Sequence, residues 1–143
     1  MKRAIILLLA SFLLFGCAIN TNKMIEKACL AGSCFNVDIA DTGIERERGL
    51  MFVEKMDMDR GMLFVFENEG VYPFWMKNTL IPLDMIWIDS NKRVVFIAHN
   101  VQPCRNDTCP TMSPDKSAMY VLEINDGLAD RLGIKEGDWL VTK

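Results

Sequence analysis

Apolar and polar positions alternate along much of this chain with the period of two that a half-buried β-strand requires. In the run CFNVDIAD, Phe35, Val37 and Ile39 fall on one side and Asn36 and Asp38 on the other. The run AMYVLEIN repeats the pattern, with Tyr120, Leu122 and Ile124 in phase. Elsewhere the alternation gives way to unbroken apolar runs, MLFVF, MIWID and RVVFIA, which fit strands covered on both faces. The last two flank Ser90-Asn91, a hairpin signal, and both are expected to be central. ENEG reads as a turn, and VYPFWM as a strand whose Pro73 suits an edge or a bulge.

Two stretches carry helix punctuation instead. DTGIERERGLM reads as a short helix capped by Thr42, with Glu45 completing a capping box, Ile44 turned inward and Gly49 at its end. NDGLADRLG reads as a second, capped by Asn125 or Asp126 and stopped at Gly133. From His99 to Lys116 three prolines and weak periodicity predict a long loop, and IKEGDWLVTK predicts a turn and a final strand. About eight short strands and two short helices, with no dividing linker, give a mainly β fold: a single-domain β-sandwich or barrel.

The first segment lies outside this pattern. Lys2 and Arg3 precede an apolar run from Ala4 to Phe15, followed by Gly16-Cys17. That is the charged head and short apolar body of a signal peptide, too short for the ~20 residues a membrane span needs. The ending LFGC resembles a bacterial lipobox, so residues 1–16 are expected to be removed and Cys17 lipidated. Residues 17–27 then form a polar tether and residues 28–143 the β domain. Loss of Lys2 and Arg3 takes the net charge from −3 to −5. This organisation predicts an exported protein, lipid-anchored to the cell or outer membrane and facing away from the cytoplasm.

Cysteine usage agrees with export. Cys29, Cys34, Cys104 and Cys109 form two pairs of identical spacing, CLAGSC and CRNDTC. Four cysteines allow three pairings. The local ones, Cys29–Cys34 and Cys104–Cys109, are favoured because Gly32 and Asn106-Asp107 can each turn the chain within the loop. Zinc is the rival reading, weakened by export and a single histidine.

Composition narrows the function classes. The chain has 143 residues, half of them apolar, which suits one packed domain. A net charge of −3 without basic blocks argues against nucleic acid. Nucleophile elbows, paired histidines and phosphate-cradling glycine loops are absent from the sequence. Met56 and Met58 alone are too few for a copper site. No metal and no cofactor is expected.

Candidate chemistry concentrates in FWMKNTLIPLD, where Lys77, Asn78, Thr79 and Asp84 interrupt the most apolar stretch. On one reading these are turn residues, with Asp84 accepting loop N–H groups or pairing with Lys77. On the other, Trp75 and Trp87, with Tyr72, wall a cleft in which Lys77, Asn78, Thr79 and Asp84 contact a small ligand. His99, the single histidine, is the one candidate base for Asp84. Arg48 and Arg60 are candidate receivers of a ligand carboxylate, or surface partners of Glu45, Glu47, Asp57 and Asp59.

Five blocks carry a resemblance. ADTGIERERGLMF, DRGMLFVF, FWMKNTLIPLDMIWID, AMYVLEIN and GIKEGD, in that order and spanning roughly Phe35 to Leu140, resemble the family called domain of unknown function 192. The resemblance implies a compact, jelly-roll-like β domain, often in exported proteins, and no activity, cofactor or substrate. The expectation is therefore a monomeric, membrane-anchored envelope module that binds a small molecule or peptide. The alternatives are an envelope hydrolase using Asp84 and His99, and a structural lipoprotein docked to a partner protein.

Overall fold

The computed structural model describes residues 26–106 and 108–143. The expected signal segment 1–16, Cys17 and the tether as far as residue 25 lie outside them, as does Asp107. Glu26 and Lys27, assigned above to the tether, open the first strand. In chain order the elements are β1 (Glu26–Leu30), β2 (Ser33–Ala40), α1 (Gly43–Arg48), β3 (Arg60–Gly70), β4 (Phe74–Trp75), β5 (Leu83–Ile88), β6 (Val94–Val101), β7 (Thr111–Met112), β8 (Ala118–Asn125), α2 (Leu128–Leu132) and β9 (Val141–Thr142).

Seven strands form one sheet in the order β6-β5-β8-β3-β2-β1-β9, and β4 and β7 pair separately. Neighbours are antiparallel except β2 and β3, which run parallel across the connection that contains α1. The two ends of the sheet meet at one corner. Arg93 bridges Trp139, and the Val94 and Leu140 N–H groups donate to Asp138 and Lys92 carbonyls at 2.9 and 2.8 Å. The sheet is thus a curled half-barrel, a mainly β architecture with two short helices, as expected.

Strand parity sorts the core into two. Ile86, Ile88, Leu122, Ile124 and Leu63 line one face, sealed by Leu128 and Ala129 of α2. Leu83, Met85, Trp87, Val121 and Phe64 line the other, under a cover built from residues 50–56, β4, β7 and their flanks. Each buried Leu, Ile, Met or Phe side chain contributes about 1.5–3 kcal/mol, so the unbroken apolar runs hold both layers on the sheet. β5 is buried at all six positions.

Several local expectations are corrected. β6 was expected to be central and is the first strand of the sheet, with β5 its one neighbour in it. Its apolar residues face both core clusters, so two-sided apolarity reports cover rather than neighbouring strands. ENEG is not a turn: it completes β3, where the register shifts between Val65 and Gly70. VYPFWM shortens to Phe74–Trp75, because the chain after Pro73 pairs with β7 alone. His99 lies inside β6 rather than just after it.

The helices differ from expectation in one detail each. α1 has the capping box of Thr42 and Glu45 and ends at Gly49, but Ile44 is 81% exposed. No residue of α1 is buried; Arg46 ties it down by donating to the Asp41 and Val65 carbonyls. α2 ends at Gly133 as expected, yet neither Asn125 nor Asp126 caps it. Gly127 occupies the N-cap in a left-handed conformation, φ 70°, and the Ala129 N–H is taken by Asp84 Oδ2 from β5 at 2.9 Å. Asn125 instead donates to the Met56 and Asp57 carbonyls.

Cys29 and Cys34 face each other across the β1–β2 hairpin, with sulfurs at bonding distance. Cys104 and Cys109 are likewise at bonding distance. Both are the local pairings favoured from the loop residues.

Candidate functional site

The segment between β4 and β5 is held by its backbone. Asn78, at φ 56°, donates its N–H to the Cys104 carbonyl, and its own carbonyl accepts from Phe52 at 2.9 Å. Phe52 is also left-handed, φ 64°. Lys77 bridges Cys104 and Thr79 bridges Met51. The Thr79 N–H closes a turn onto the Met76 carbonyl. Three chain segments, 51–52, 77–79 and 104, are therefore laced into one layer over the sheet.

Beneath this layer lies Glu123. On β8 it stands opposite Met62 of β3 and Met85 of β5, in phase with Val121. It is 4% exposed, and its side chain makes no hydrogen bond or ion pair among the described residues. Burial pushes its carboxyl from the ordinary 4.5 up to about 8, so at neutral pH it is an uncharged acid. Above it a cavity of about 30 Å³ is lined by Glu123, Lys77, Thr79, Trp75, Arg46 and Arg48, among others. That volume holds one or two water-sized groups.

The slot opens toward a trough of about 260 Å³ walled by Phe66, Tyr72, Pro73, Phe74 and Trp75, with Arg46 and Glu47 lining both spaces. Phe66 stacks on Tyr72 at 3.6 Å and meets Phe74 edge-on at 6.4 Å. The wall is thus made rigid by its own rings. The Lys77 ammonium sits 5.3 Å from the Trp75 ring centre, and the Arg46 guanidinium 5.1 Å from that of Phe66.

The sequence-predicted residues divide between this site and other tasks. Trp75, Lys77 and Thr79 line the slot. Asn78 does not: its backbone forms the turn, and its side-chain amide reaches Met51 Sδ at 4.0 Å. Trp87 is fully buried, with Nε1 donating to the Tyr72 carbonyl at 3.0 Å, so it packs the wall from behind. Asp84 lies on the opposite face of the sheet, in phase with Ile86, and is fully buried. Its Oδ1 accepts from the Asn100 N–H at 2.8 Å and its Oδ2 from Ala129, so Lys77 is not its partner.

His99 pairs at the surface with Asp130, Nδ1 to Oδ1 3.3 Å. With both Asp84 oxygens committed to backbone N–H groups, the Asp84–His99 acid–base pair expected of a hydrolase is not formed. Arg60 takes Asp38 at 3.0 Å rather than Asp57 or Asp59. Among the described residues no group of three or more His, Cys, Asp or Glu side chains is placed to hold a metal ion.

Sequence reading missed Glu123 as the floor of the site. One signal was available: AMYVLEIN is apolar in both phases, with Met119 and Val121 in one and Tyr120, Leu122 and Ile124 in the other. A lone carboxylate in a strand covered on both sides must be paired, neutralised or functional.

Residues 26–142 match the family model DUF192, described as "Uncharacterized ACR". The chain belongs to the DUF192 family. Among curated relatives it is similar to a UPF0127 protein of Thermococcus gammatolerans, 36% identical over 116 residues, 76% of this chain and 69% of that protein. A UPF0127 protein of Thermococcus kodakarensis is 35% identical over 107 residues, 71% of this chain and 61% of the relative.

Two solved structures extend the comparison. A Novosphingobium aromaticivorans protein of unknown function superposes with a TM-score of 0.75 at 36% identity, covering 80% of this chain and 83% of that one. A Sinorhizobium meliloti protein, provisionally described as a transcription regulator, gives 0.76 at 35% identity, covering 82% and 92%. The curled sheet of this DUF192 member is thus the architecture of solved relatives.

Proposed function

We propose that this DUF192 protein is a small-ligand binding module of the cell envelope, held to a membrane by lipid on Cys17 and binding at the slot above Glu123. One observation carries the binding reading: Glu123, a residue only 4% exposed and with no side-chain partner among the described residues, lines a cavity together with a lysine, a threonine and a tryptophan. A purely structural layer gains nothing from such a group, whose withdrawal from water without a protein partner is unfavourable by up to about 1–3 kcal/mol. A ligand that supplies the missing hydrogen bond recovers that cost on binding. The pairing of Lys2 and Arg3 with a 12-residue apolar run and LFGC supports export and lipidation.

Binding here is recognition rather than turnover. His99 and Asp84 serve other partners, and Glu123 is a neutral acid facing lysine, threonine and arginine, not a nucleophile with its base. The test is a thermal-shift screen of small hydroxylated, amide and carboxylate compounds on the full chain, with Glu123→Ala as the comparison. Compounds that raise the melting temperature of the wild type and leave the variant unmoved support the site. A screen in which every stabilising compound acts equally on both proteins removes it.

A further inference from the structure

We propose that the slot receives the carboxylate of an organic acid whose apolar or aromatic body lies in the adjoining trough. This rests on the binding reading above and names its ligand class. The lining is an inventory of donors. Lys77, Arg46 and Arg48 can only donate, the Thr79 hydroxyl can donate, and Glu123 as a neutral acid offers its O–H. Arg46 is already committed to the Asp41 and Val65 carbonyls, where it props the wall through Phe66. The Lys77 ammonium has only the Trp75 face, and the Arg48 side chain has no polar partner among the described residues. An anionic oxygen satisfies these groups together, through charge-assisted bonds roughly twice as strong as neutral ones.

Other classes fit less well. An ammonium ligand would need Glu123 ionised and would meet three cations against the single additional carboxylate of Glu47. A sugar would find one slot too small for a ring and a trough that offers rings rather than converging hydroxyl partners. A carboxylate suits both spaces: its oxygens match a cavity of about 30 Å³, and a six-membered ring or short alkyl chain fits about 260 Å³ beside Tyr72 and Phe74. The charged groups lining the cavity with Glu123 are Arg46, Glu47 and Arg48 from α1 and its end and Lys77 from the loop; β3 and β5 present Met62 and Met85. Once Glu123 loses its proton, near pH 8, a bound carboxylate loses a donor and gains a like charge, so affinity falls as pH rises through that value.

The experiment is a titration of the full chain, purified in mild detergent, with 3-phenylpropionate, its amide, phenethylamine and methyl glucoside, followed by tryptophan fluorescence and calorimetry. The acid is expected to bind at least about tenfold more tightly than its amide, and Lys77→Met to remove about tenfold of that affinity while Lys77→Arg restores most of it. Glu123→Gln is expected to abolish the decline in affinity that the wild type shows between pH 7 and 9. If the amide, amine or glucoside binds as well as the acid, the carboxylate assignment is overturned and the binding site stands. If none of the four binds, both are overturned for ligands of this size.

Discussion

Glu123→Gln should stabilise this protein, and by an amount that depends on pH in one direction only. Glutamine has nearly the shape of the neutral acid and cannot ionise. In the native domain the Glu123 carboxyl holds its proton up to about pH 8, whereas in the unfolded chain it releases it near the ordinary 4.5. Above pH 4.5 the unfolded state therefore binds fewer protons than the native state, and stability falls as pH rises. The loss begins near pH 4.5 and is complete above pH 8. At about 1.36 kcal/mol per unit, the full interval amounts to about 5 kcal/mol, and the part accumulated by pH 7 to about 3 kcal/mol.

The variant escapes that loss. Melting curves of the wild type and Glu123→Gln in matched buffers from pH 4 to 9 should coincide near pH 4. They should diverge by roughly 10 °C at pH 7, the variant being the more stable. Every other carboxylate titrates in both proteins and cancels in the difference, so the difference curve isolates this one group. A curve flat across pH 5–8, or a variant less stable than the wild type at pH 8, would refute the reasoning. Either result would mean that Glu123 is ionised and well partnered in the native state, which would also remove the donor on which carboxylate recognition depends.

Three further outcomes follow from the geometry. Asp84→Ala leaves the Asn100 and Ala129 N–H groups without their acceptor and should cost about 2–5 kcal/mol in chemical denaturation; a loss below about 1 kcal/mol would show that backbone rearrangement or water replaces it. His99→Ala removes only an exposed contact to Asp130 and should change stability by less than about 0.5 kcal/mol, so a large effect would reopen a role for this histidine. Replacing Cys104 and Cys109 together by serine should lower stability by about 2 kcal/mol and weaken ligand binding more than the Cys29/Cys34 double serine variant does, because Cys104 exchanges backbone hydrogen bonds with Met76 and Asn78; equal effects on binding would separate the crosslink from the site.

The fold was legible where periodicity and punctuation agreed. β2 and β8 form where the alternating runs predict strands, although β8 is buried on both faces, the β5–β6 hairpin follows Ser90-Asn91, and α1 has the cap that Thr42 and Glu45 spell out. What failed was long-range. Ile44 was expected inward because a short helix normally buries one apolar stripe, but α1 is held by the Arg46 bonds to carbonyls and needs none. The α2 cap comes from Asp84, forty-five residues away, and no local pattern near Asn125 could show that.

The site divided for the same reason. FWMKNTLIPLD marked the right loop, but its polar residues point to two faces of one sheet, and only parity within β5 separates Asp84 from the slot. Glu123, which completes the slot, comes from a strand far along the chain.

These long-range placements share a physical consequence. Asn78 and Phe52 both adopt left-handed backbone, a conformation asparagine tolerates but one that costs about 1–3 kcal/mol for phenylalanine, and Phe52 is itself 67% exposed. Neither conformation improves the core: Phe52 buries little, and Asn78 contributes its backbone to a turn that a glycine would form at lower cost. Both are fixed by the single chain of bonds from Phe52 to Asn78 to Cys104, the lacing that sets Lys77 and Thr79 over Glu123. A domain of this size has a net stability of only about 5–15 kcal/mol. The two left-handed residues adjoin Met51, Lys77 and Thr79, which line the cavity of about 30 Å³ with Glu123, so both conformations serve to place its lining. Left-handed backbone and a raised carboxyl pKa cluster at functional sites, and here the first holds the lining of the slot whose floor carries the second.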